Sequence, residues 1–192
     1  MAERVVTGMD LEKLEAFRQA LAEEPVILGL EARSIWEGHS GRNTVHMGPY
    51  SLGDKRIDRA TRHYTMAYGA WKEVEEALGF EGPTDRVEPV EMALGAVAAC
   101  VANAIGLNAP RNGIVLEEME VLVKADVDPS VLLEVKGPED HTACIPRITC
   151  EVKVKGDLSD DQLETIQRLA AHSPVHGMVH DHNEMVTEVA RS

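Results

Sequence analysis

The sequence has few basic residues for its size. Its 192 residues include 19 Lys and Arg against 33 Asp and Glu, which gives a formal net charge of −14. Nucleic acids and anionic lipid surfaces are bound by clustered Lys and Arg, so this balance argues against both as partners. It is typical of an acidic protein in solution, and we expect a cytoplasmic location.

The sequence also lacks a long apolar run and a disulfide framework. The longest apolar run, Met92 to Ala102, is shorter than the roughly 20 residues that span a bilayer, so we expect no membrane contact. Charges in the opening "MAERVVTGMDLEKLEAF" interrupt the apolar core that a secretory signal needs. The three cysteines are odd in number and form no CxxC pair, which favours a reducing compartment.

Three helices are predicted outside the middle of the chain. Leu11, Leu14, Phe17 and Leu21 form one stripe of a helix that Asp10 caps and Pro25 ends, laid on a core or on a partner subunit. A second helix follows from the spacing of Trp71, Val74 and Leu78. A third begins at Ser159, which has capping-box spacing to Gln162.

The strand pattern points to antiparallel sheets. Strands are expected within residues 26–38 and 56–69, with hairpin loops between them over 39–55. Apolar and polar residues alternate cleanly over 116–128 and 147–155, and "SVLLEVKG" between these two segments is expected as a third strand. "EMVTEVA" near the end can be a closing strand. Strands and helices in this order predict an α+β fold.

The stretch "MALGAVAACVANAIG", Met92 to Gly106, predicts a central helix. Pro89 is favourable at its first position and Glu91 in its first turn. From Met92 to Ala102 no face is polar, and a helix that is apolar all round is buried all round. We therefore expect a helix that antiparallel sheets wrap on every side.

Three thiols are candidates for chemistry. Cys150 lies on the apolar face of an alternating strand, which predicts a packed and inert thiol. Cys144 precedes a strand in a polar connection and carries no clear signal. Cys100 lies on the central helix, either as a small core residue or as a reactive thiol. A reactive thiol there needs a nearby cation and some access to solvent or ligand.

Two motifs resemble the OsmC/Ohr superfamily (osmotically inducible protein C and organic hydroperoxide resistance protein). "PVEMALGAVAACVANAI" is similar to the cysteine helix of that family, and "LAAHSPVHGMV" is similar to its second motif. The resemblance covers roughly residues 26 to 190. It implies an N-terminal helical extension over 1–25, an OsmC-like domain over 26–192, and an intertwined homodimer around the central helix.

The resemblance also implies an activity and a site. Cys100 would be the peroxidatic thiolate that attacks the O–O bond of an organic hydroperoxide. Arg42, in the hairpin "HSGRNTV", would hold the thiolate and polarise the peroxide, although a solvated loop arginine is an equal alternative. Glu91 would be the acid near the start of the cysteine helix. The family calls for no cofactor and no metal.

Two departures from the family pattern shape this prediction. Hydroperoxide-resistance members carry Glu directly after the helix proline, whereas this chain has Val90 there and Glu91 one residue later. The carboxylate that orients Arg42 therefore stays open. Ser173 stands where the best-studied peroxidases have their resolving cysteine, so the expected enzyme is of one-cysteine type with an external thiol or dithiol reductant.

Two further interpretations follow from the second motif. The alternative to an enzyme is a non-catalytic protein of the same fold that binds a small apolar ligand or a protein partner. His172, His176 and His180 recur every four residues, with His182 nearby, but the Ser173-Pro174 break spoils the helical alignment that a shared metal needs. We expect surface or interface histidines there, and no metal.

Overall fold

A computed structural model describes residues 5–181, 183 and 185–191. The strands, in chain order, are β1 (Val5–Val6), β2 (Met9–Asp10), β3 (Leu28–Trp36), β4 (Asn43–Leu52), β5 (Lys55–Ile57), β6 (Tyr64–Tyr68), β7 (Glu118–Ala125) and β8 (Ile148–Lys155). The α-helices are α1 (Leu11–Glu23), α2 (Lys72–Ala77), α3 (Pro89–Asn108), α4 (His141–Cys144), α5 (Asp160–Ala170) and α6 (Pro174–His180). Short 3-10 turns cover Ala60–Arg62, Pro110–Asn112 and Pro138–Asp140. The predicted α+β class, with antiparallel sheets and helices, is confirmed.

The chain forms two compact units. The first includes Met9–Ala93, and the second includes Val5–Gly8 and the residues from Leu94 onward. The predicted division into an extension over 1–25 and a family domain over 26–192 stays a prediction, because compactness does not say which residues a family shares.

The first unit contains a four-stranded antiparallel sheet with β4 at its centre. β4 pairs with β3, β5 and β6. The expectation of hairpin loops over 39–55 is wrong for most of this segment, because residues 43–52 are the longest strand of the sheet. The residues that suggested a loop, Gly48 and Pro49, form a β-bulge: Leu30 faces Tyr50 and Ala32 faces Met47, so one residue of β3 opposes two of β4. A bulge tolerates both residue types inside a strand.

The N-terminal helix α1 has the predicted bounds and cap. The Asp10 side chain accepts hydrogen bonds from the backbone N–H groups of Glu12 and Lys13. On its stripe, Leu11, Leu14 and Leu21 are half-buried, and Phe17 is exposed. The stripe is therefore only partly covered by the chain itself.

The core of the second unit is formed mainly by helices α3 and α5, with strands β7 and β8 packed against them. Seven buried residues form this core: Val97, Val101, Ile105, Ala109, Ile114, Ile166 and Leu169. β7 and β8 pair antiparallel over their full length, and their apolar faces pack against the core through Met119, Val121, Val123, Val152 and Val154. The alternation of β7 and the Ser159 capping box of α5 are confirmed, and β8 follows its predicted alternation except at Cys150, which is exposed.

Helix α3 buries one stripe within the single chain. Val97, Val101, Ala104 and Ile105 are buried, whereas Gly95, Ala96, Ala99 and Leu107 are exposed. Within Pro89–Asn112, an 18-residue window has a mean hydropathy of 1.8, and 17% of that window is buried, so the stretch is long and apolar enough to cross a membrane by length and composition. The core helix of a globular protein meets the same criterion, so this property by itself assigns no membrane location.

Two strand predictions in the second half need correction. "SVLLEVKG" is a series of turns, in which Asp128 accepts hydrogen bonds from the backbone and the hydroxyl of Ser130 and forms an ion pair with Lys136 at 2.7 Å. These contacts hold the chain in a closed loop, which an extended strand would break. The described residues 185–190 have no regular secondary structure, and Glu184 of the predicted closing strand lies outside the described residues.

Candidate functional site

Arg42 lies at the end of the hairpin between β3 and β4. Its backbone N–H donates to the His39 carbonyl at 3.1 Å, and its carbonyl accepts from the Glu37 N–H at 3.2 Å. The preceding Gly41 has a φ of +67°, a conformation that favours glycine. The turn directs the Arg42 side chain inward, where it is only 10% exposed. Arg42 is therefore not a solvated loop arginine.

The carboxylate that binds Arg42 belongs to Glu75, on helix α2. Arg42 Nη2 lies 2.6 Å from Glu75 Oε2, and Arg42 Nε lies 3.4 Å from Oε1. The Glu75 side chain is completely buried. Arg42 Nη2 also donates to the Gly82 carbonyl at 2.8 Å. A guanidinium that uses two nitrogens on one carboxylate is held in orientation as well as in position.

Thr84 completes the environment of the Glu75 carboxylate. Its backbone N–H donates to Oε2 at 2.6 Å, and its hydroxyl lies 3.1 Å from the same oxygen. Burial by itself raises the pKa of a carboxyl group. Here the Arg42 hydrogen bond, with further contributions from Thr84, outweighs burial and lowers the pKa of Glu75 from 4.5 to about 2. Glu75 is therefore ionised at neutral pH.

One nitrogen of Arg42 is left open by this arrangement. Among the residues the structure describes, Nη1 has no hydrogen-bond acceptor, while each buried side-chain nitrogen or oxygen does have a partner. The Arg42 side chain as a whole is 10% exposed. The Phe80 ring lies beside the guanidinium, with its centroid 5.8 Å from Arg42 Cζ. The arrangement offers two free N–H donors next to an aromatic wall.

A second ion pair ties the same hairpin to the segment before α3. Arg86 Nη1 donates to both carboxylate oxygens of Glu37, at 2.9 and 3.0 Å, and Glu37 also accepts from the Thr44 hydroxyl. The Arg86 hydrogen bond, followed by that of Thr44, lowers the pKa of Glu37. Both ends of the hairpin that carries Arg42 are thus anchored by charged side chains.

Glu91 lies in the first turn of α3, as predicted, and is exposed. Its carboxylate accepts a hydrogen bond of 3.4 Å from the backbone N–H of Glu88. The sequence left the orienting partner of Arg42 open, and the structure assigns that contact to Glu75. A catalytic role of Glu91 stays a prediction.

No signal in the sequence identified Glu75. Helix α2 has three glutamates, Glu73, Glu75 and Glu76, and no motif distinguishes one from the others. Moreover, the apolar residues that predicted the helix remain partly exposed, with Trp71 at 44% and Leu78 at 46%, while Glu75 is buried. A buried carboxylate in a polar helix is visible only once Arg42 and Thr84 are brought to it.

Cys100 lies on α3 in the second unit, as a free and half-buried thiol. Its neighbour Val101 is completely buried and its neighbour Ala99 is exposed, so Cys100 stands at the edge of the buried stripe. The residue as a whole is therefore partly accessible, and some access is one of the conditions that a reactive thiol needs.

The other two cysteines are also free thiols. Cys144 ends the short helix α4, and its Sγ lies 3.8 Å from the Asp140 carbonyl oxygen. Cys150 on β8 was expected to be packed, and this is wrong: the residue is exposed, because it lies beyond the part of the apolar face that meets the core. Desolvation by its partial burial raises the pKa of the Cys150 thiol, which lowers its nucleophilicity at neutral pH.

The second motif is a helix start. Ser173 caps α6, with its hydroxyl accepting from the His176 N–H at 3.1 Å, and Pro174 follows at the first helical position. Ser173 is 2% exposed. The His176 and His180 rings stack at 5.8 Å. Within the described part of the chain no three His, Cys, Asp or Glu side chains come together as a metal site, and His182 lies outside that part.

Comparisons with known proteins address the family. The model of the OsmC-like protein family matches residues 82–188, more than half of the chain. This match includes both motifs, with Cys100 and Ser173. No curated protein matches the chain significantly.

Solved structures address the fold. An OsmC-like protein from Mycoplasma pneumoniae superposes with a TM-score of 0.53 at 13% identity, covering 79% of this chain and 86% of the other. A protein from Psychrobacter arcticus 273-4, provisionally named as osmotic stress induced and of the detoxification response, gives 0.50 at 13% identity, with coverages of 78% and 87%. An organic hydroperoxide resistance protein OsmC from Legionella pneumophila gives 0.43 at 17% identity, with coverages of 78% and 88%, a likeness too weak to carry an argument.

Proposed function

Because this chain belongs to the family of OsmC-like proteins, we propose that it reduces organic hydroperoxides with the thiol of Cys100 and an external thiol reductant. The observation that carries the proposal is the state of Arg42. A buried carboxylate fixes its guanidinium on one side, and Nη1 remains open on the other. A solvated loop arginine would have neither property.

The proposed reaction balances in two stages. The Cys100 thiolate attacks one oxygen of the hydroperoxide, so that an S–O bond forms, the O–O bond breaks and an alcohol leaves with a proton. Sulfur is oxidised to the sulfenic acid. One external thiol then displaces water to give a mixed disulfide, and a second thiol releases Cys100 as a disulfide forms between the two reductants.

Arg42 has one task in this proposed scheme. Its open N–H donors stabilise the negative charge that develops on the departing oxygen. Glu75 and Thr84 do not touch the reacting atoms and act as positioning residues. The Phe80 ring beside the guanidinium favours a neutral, organic peroxide over a small polar one.

Ser173 supports the one-cysteine form of the reaction. Its hydroxyl caps a helix and is almost completely buried. A serine cannot form a disulfide, so reduction depends on thiols from outside the chain, as a reducing cytoplasm provides. The same residue motivates the alternative, a non-catalytic member of the fold that binds an apolar ligand or a protein.

The test is hydroperoxide consumption with a dithiol. We expect wild type to consume cumene hydroperoxide catalytically, and Cys100→Ser to fall to the rate without protein. Cys150→Ser is the matched control, because it also removes one thiol, and it should retain activity within about twofold. Loss that is equal in the two variants, or no catalysis by wild type, would reject the enzyme in favour of the non-catalytic alternative.

We also propose that the protein is a homodimer. Support comes from the apolar surface that one chain leaves uncovered: Leu30 is 80% exposed and Trp36 67%, both on β3, and most of α3 is uncovered as well. Patches of this kind mark association surfaces. Light scattering should give twice the 21.0 kDa of one chain, and Leu30→Glu should shift the protein toward the monomer. A wild-type monomer at micromolar concentration would contradict the proposal.

A further inference from the structure

The sheet of the first unit carries a cavity lined by basic and polar side chains. Its volume is about 480 Å³, within the roughly 300–1,000 Å³ that small-molecule sites occupy. Six of its residues carry hydrogen-bonding side chains: Arg33, His46, Arg56, His63, Tyr64 and Thr65. The proposed peroxidase function uses none of them.

Three of these side chains form one row across the sheet. Arg33 on β3 faces His46 on β4, and His46 faces Thr65 on β6. Residues directly opposite each other in antiparallel strands project from the same face, with Cβ atoms about 4.5–5.5 Å apart. The register therefore places a guanidinium, an imidazole and a hydroxyl side by side on one face of the sheet.

The hydrogen bonds within the cavity leave specific donors unused. Thr65 Oγ1 lies 3.2 Å from His46 Nδ1, which fixes the ring and leaves Nε2 for another partner. Arg56 is already committed, because both of its terminal nitrogens bind Glu31, at 3.1 and 2.6 Å. Arg33 has no hydrogen-bond acceptor or ion-pair partner among the residues that the structure describes. Its planar fork of donors matches an oxyanion.

The charge balance of the chain makes this cavity selective. With a net charge of −14, most of the surface repels anions. The cavity brings together two of the 19 Lys and Arg and two of the eight His, with Glu31 as its one carboxylate. The carboxylate next to His63 belongs to Asp58, 2.9 Å from its Nε2, and is not among the lining residues.

We propose that this cavity binds a small organic molecule through a phosphate or carboxylate group, with Arg33 and His46 as the principal contacts. Phosphate and carboxylate share the chemistry that the cavity recognises, which is a compact oxyanion with several acceptors. The cavity shares no lining residue with the proposed peroxidase site. Cys100→Ser should therefore bind the same probes as wild type, so failure of one proposal leaves the other standing.

Calorimetric titration with two probes tests the proposal. Pyrophosphate and citrate are titrated at constant ionic strength, with sodium chloride as the reference. We expect saturable binding of one probe per chain. Binding of pyrophosphate alone identifies a phosphate ligand, binding of citrate alone identifies a carboxylate, and binding of both supports the shared chemistry. Failure of both probes to saturate would overturn the proposal.

Substitutions test whether the probes bind in this cavity. Arg33→Gln should weaken binding by about tenfold or more, because it removes a charged hydrogen bond. The affinity of Arg33→Lys should lie between those of wild type and Arg33→Gln, since lysine keeps the positive charge and loses the planar set of N–H donors. Arg18→Gln on α1 changes the net charge equally and should leave affinity within about twofold; an equal loss there would show general charge attraction and refute the site. If Arg33→Gln does not fold, NMR of wild type replaces this test. The signals of the His46 ring should shift when the probe is added, and unchanged signals refute the site.

Discussion

The buried pair of Arg42 and Glu75 predicts an unusual pattern of stabilities. Arg42→Met replaces the guanidinium by an apolar side chain of similar length and leaves the Glu75 carboxylate buried without a counter-charge. Removing one partner of a buried ion pair is far more damaging than removing both. For a chain of this length the expected fall in Tm is about 6 to 20 °C.

The double variant Arg42→Met with Glu75→Gln separates this explanation from a simple loss of packing. The glutamine is neutral, and its carbonyl oxygen can still accept from the Thr84 N–H, which lies 2.6 Å from the present carboxylate. We therefore expect the double variant to be more stable than Arg42→Met alone and to recover at least about half of the lost Tm.

Thermal unfolding at pH 7, followed by circular dichroism, measures these differences. Arg18→Met is the control, because Arg18 forms an exposed ion pair with Glu15 and exposed pairs contribute little. Its Tm should change by less than about 3 °C. If the losses of the two single changes at Arg42 and Glu75 simply add, or if Arg18→Met costs as much as Arg42→Met, the buried pair is not organised as described.

Two further predictions concern the first unit. The pKa of Glu75 is lowered from 4.5 to about 2. The stability that its ionised form contributes is therefore complete above pH 4.5 and is lost as the pH falls through about 2. The Tm difference between wild type and Glu75→Gln should narrow over that range, and a constant difference would contradict the assignment. At Gly48, with a φ of +145°, a Cβ would overlap the Arg62 carbonyl oxygen, so Gly48→Ala should lower Tm strongly. Gly53→Ala, at a φ of +53° with open space around it, should cost only about 1 kcal/mol, and equal losses at the two sites would rule out the close approach.

Local signals in the sequence were sufficient to predict most helices. Asp10 and Ser159 cap the helices that their spacing predicted, because a cap depends only on residues one turn away. The alternation in β7 and β8 was equally informative, since one face of each strand meets the core of the same unit.

Elements that depend on distant contacts were not predictable in this way. The Gly48-Pro49 pair looked like a loop and is a bulge in a central strand, because β3 and β6 bind the strand from both sides. The segment 130–137 has the composition of a strand, but Asp128 and Lys136 close it into turns.

The same distinction applies to the candidate site. Arg42 and Cys100 could be predicted as candidates because they lie in or near recognisable motifs, and their catalytic roles stay predictions. Glu75 was not found, because its role depends on a contact between residues 33 positions apart in the chain. The apolar pattern of α3 predicted burial on every side, and one chain covers a single stripe, as expected if another surface covers the rest.

The central claim is that Cys100 is the thiol oxidised by organic hydroperoxides. Its most direct test is mass spectrometry of the protein treated with one equivalent of cumene hydroperoxide in the presence of dimedone, which traps sulfenic acids. The account predicts one dimedone adduct per chain, on Cys100. A control sample without peroxide should carry no adduct. An adduct confined to Cys144 or Cys150, or an unmodified Cys100 in a protein that consumes the peroxide, would contradict it.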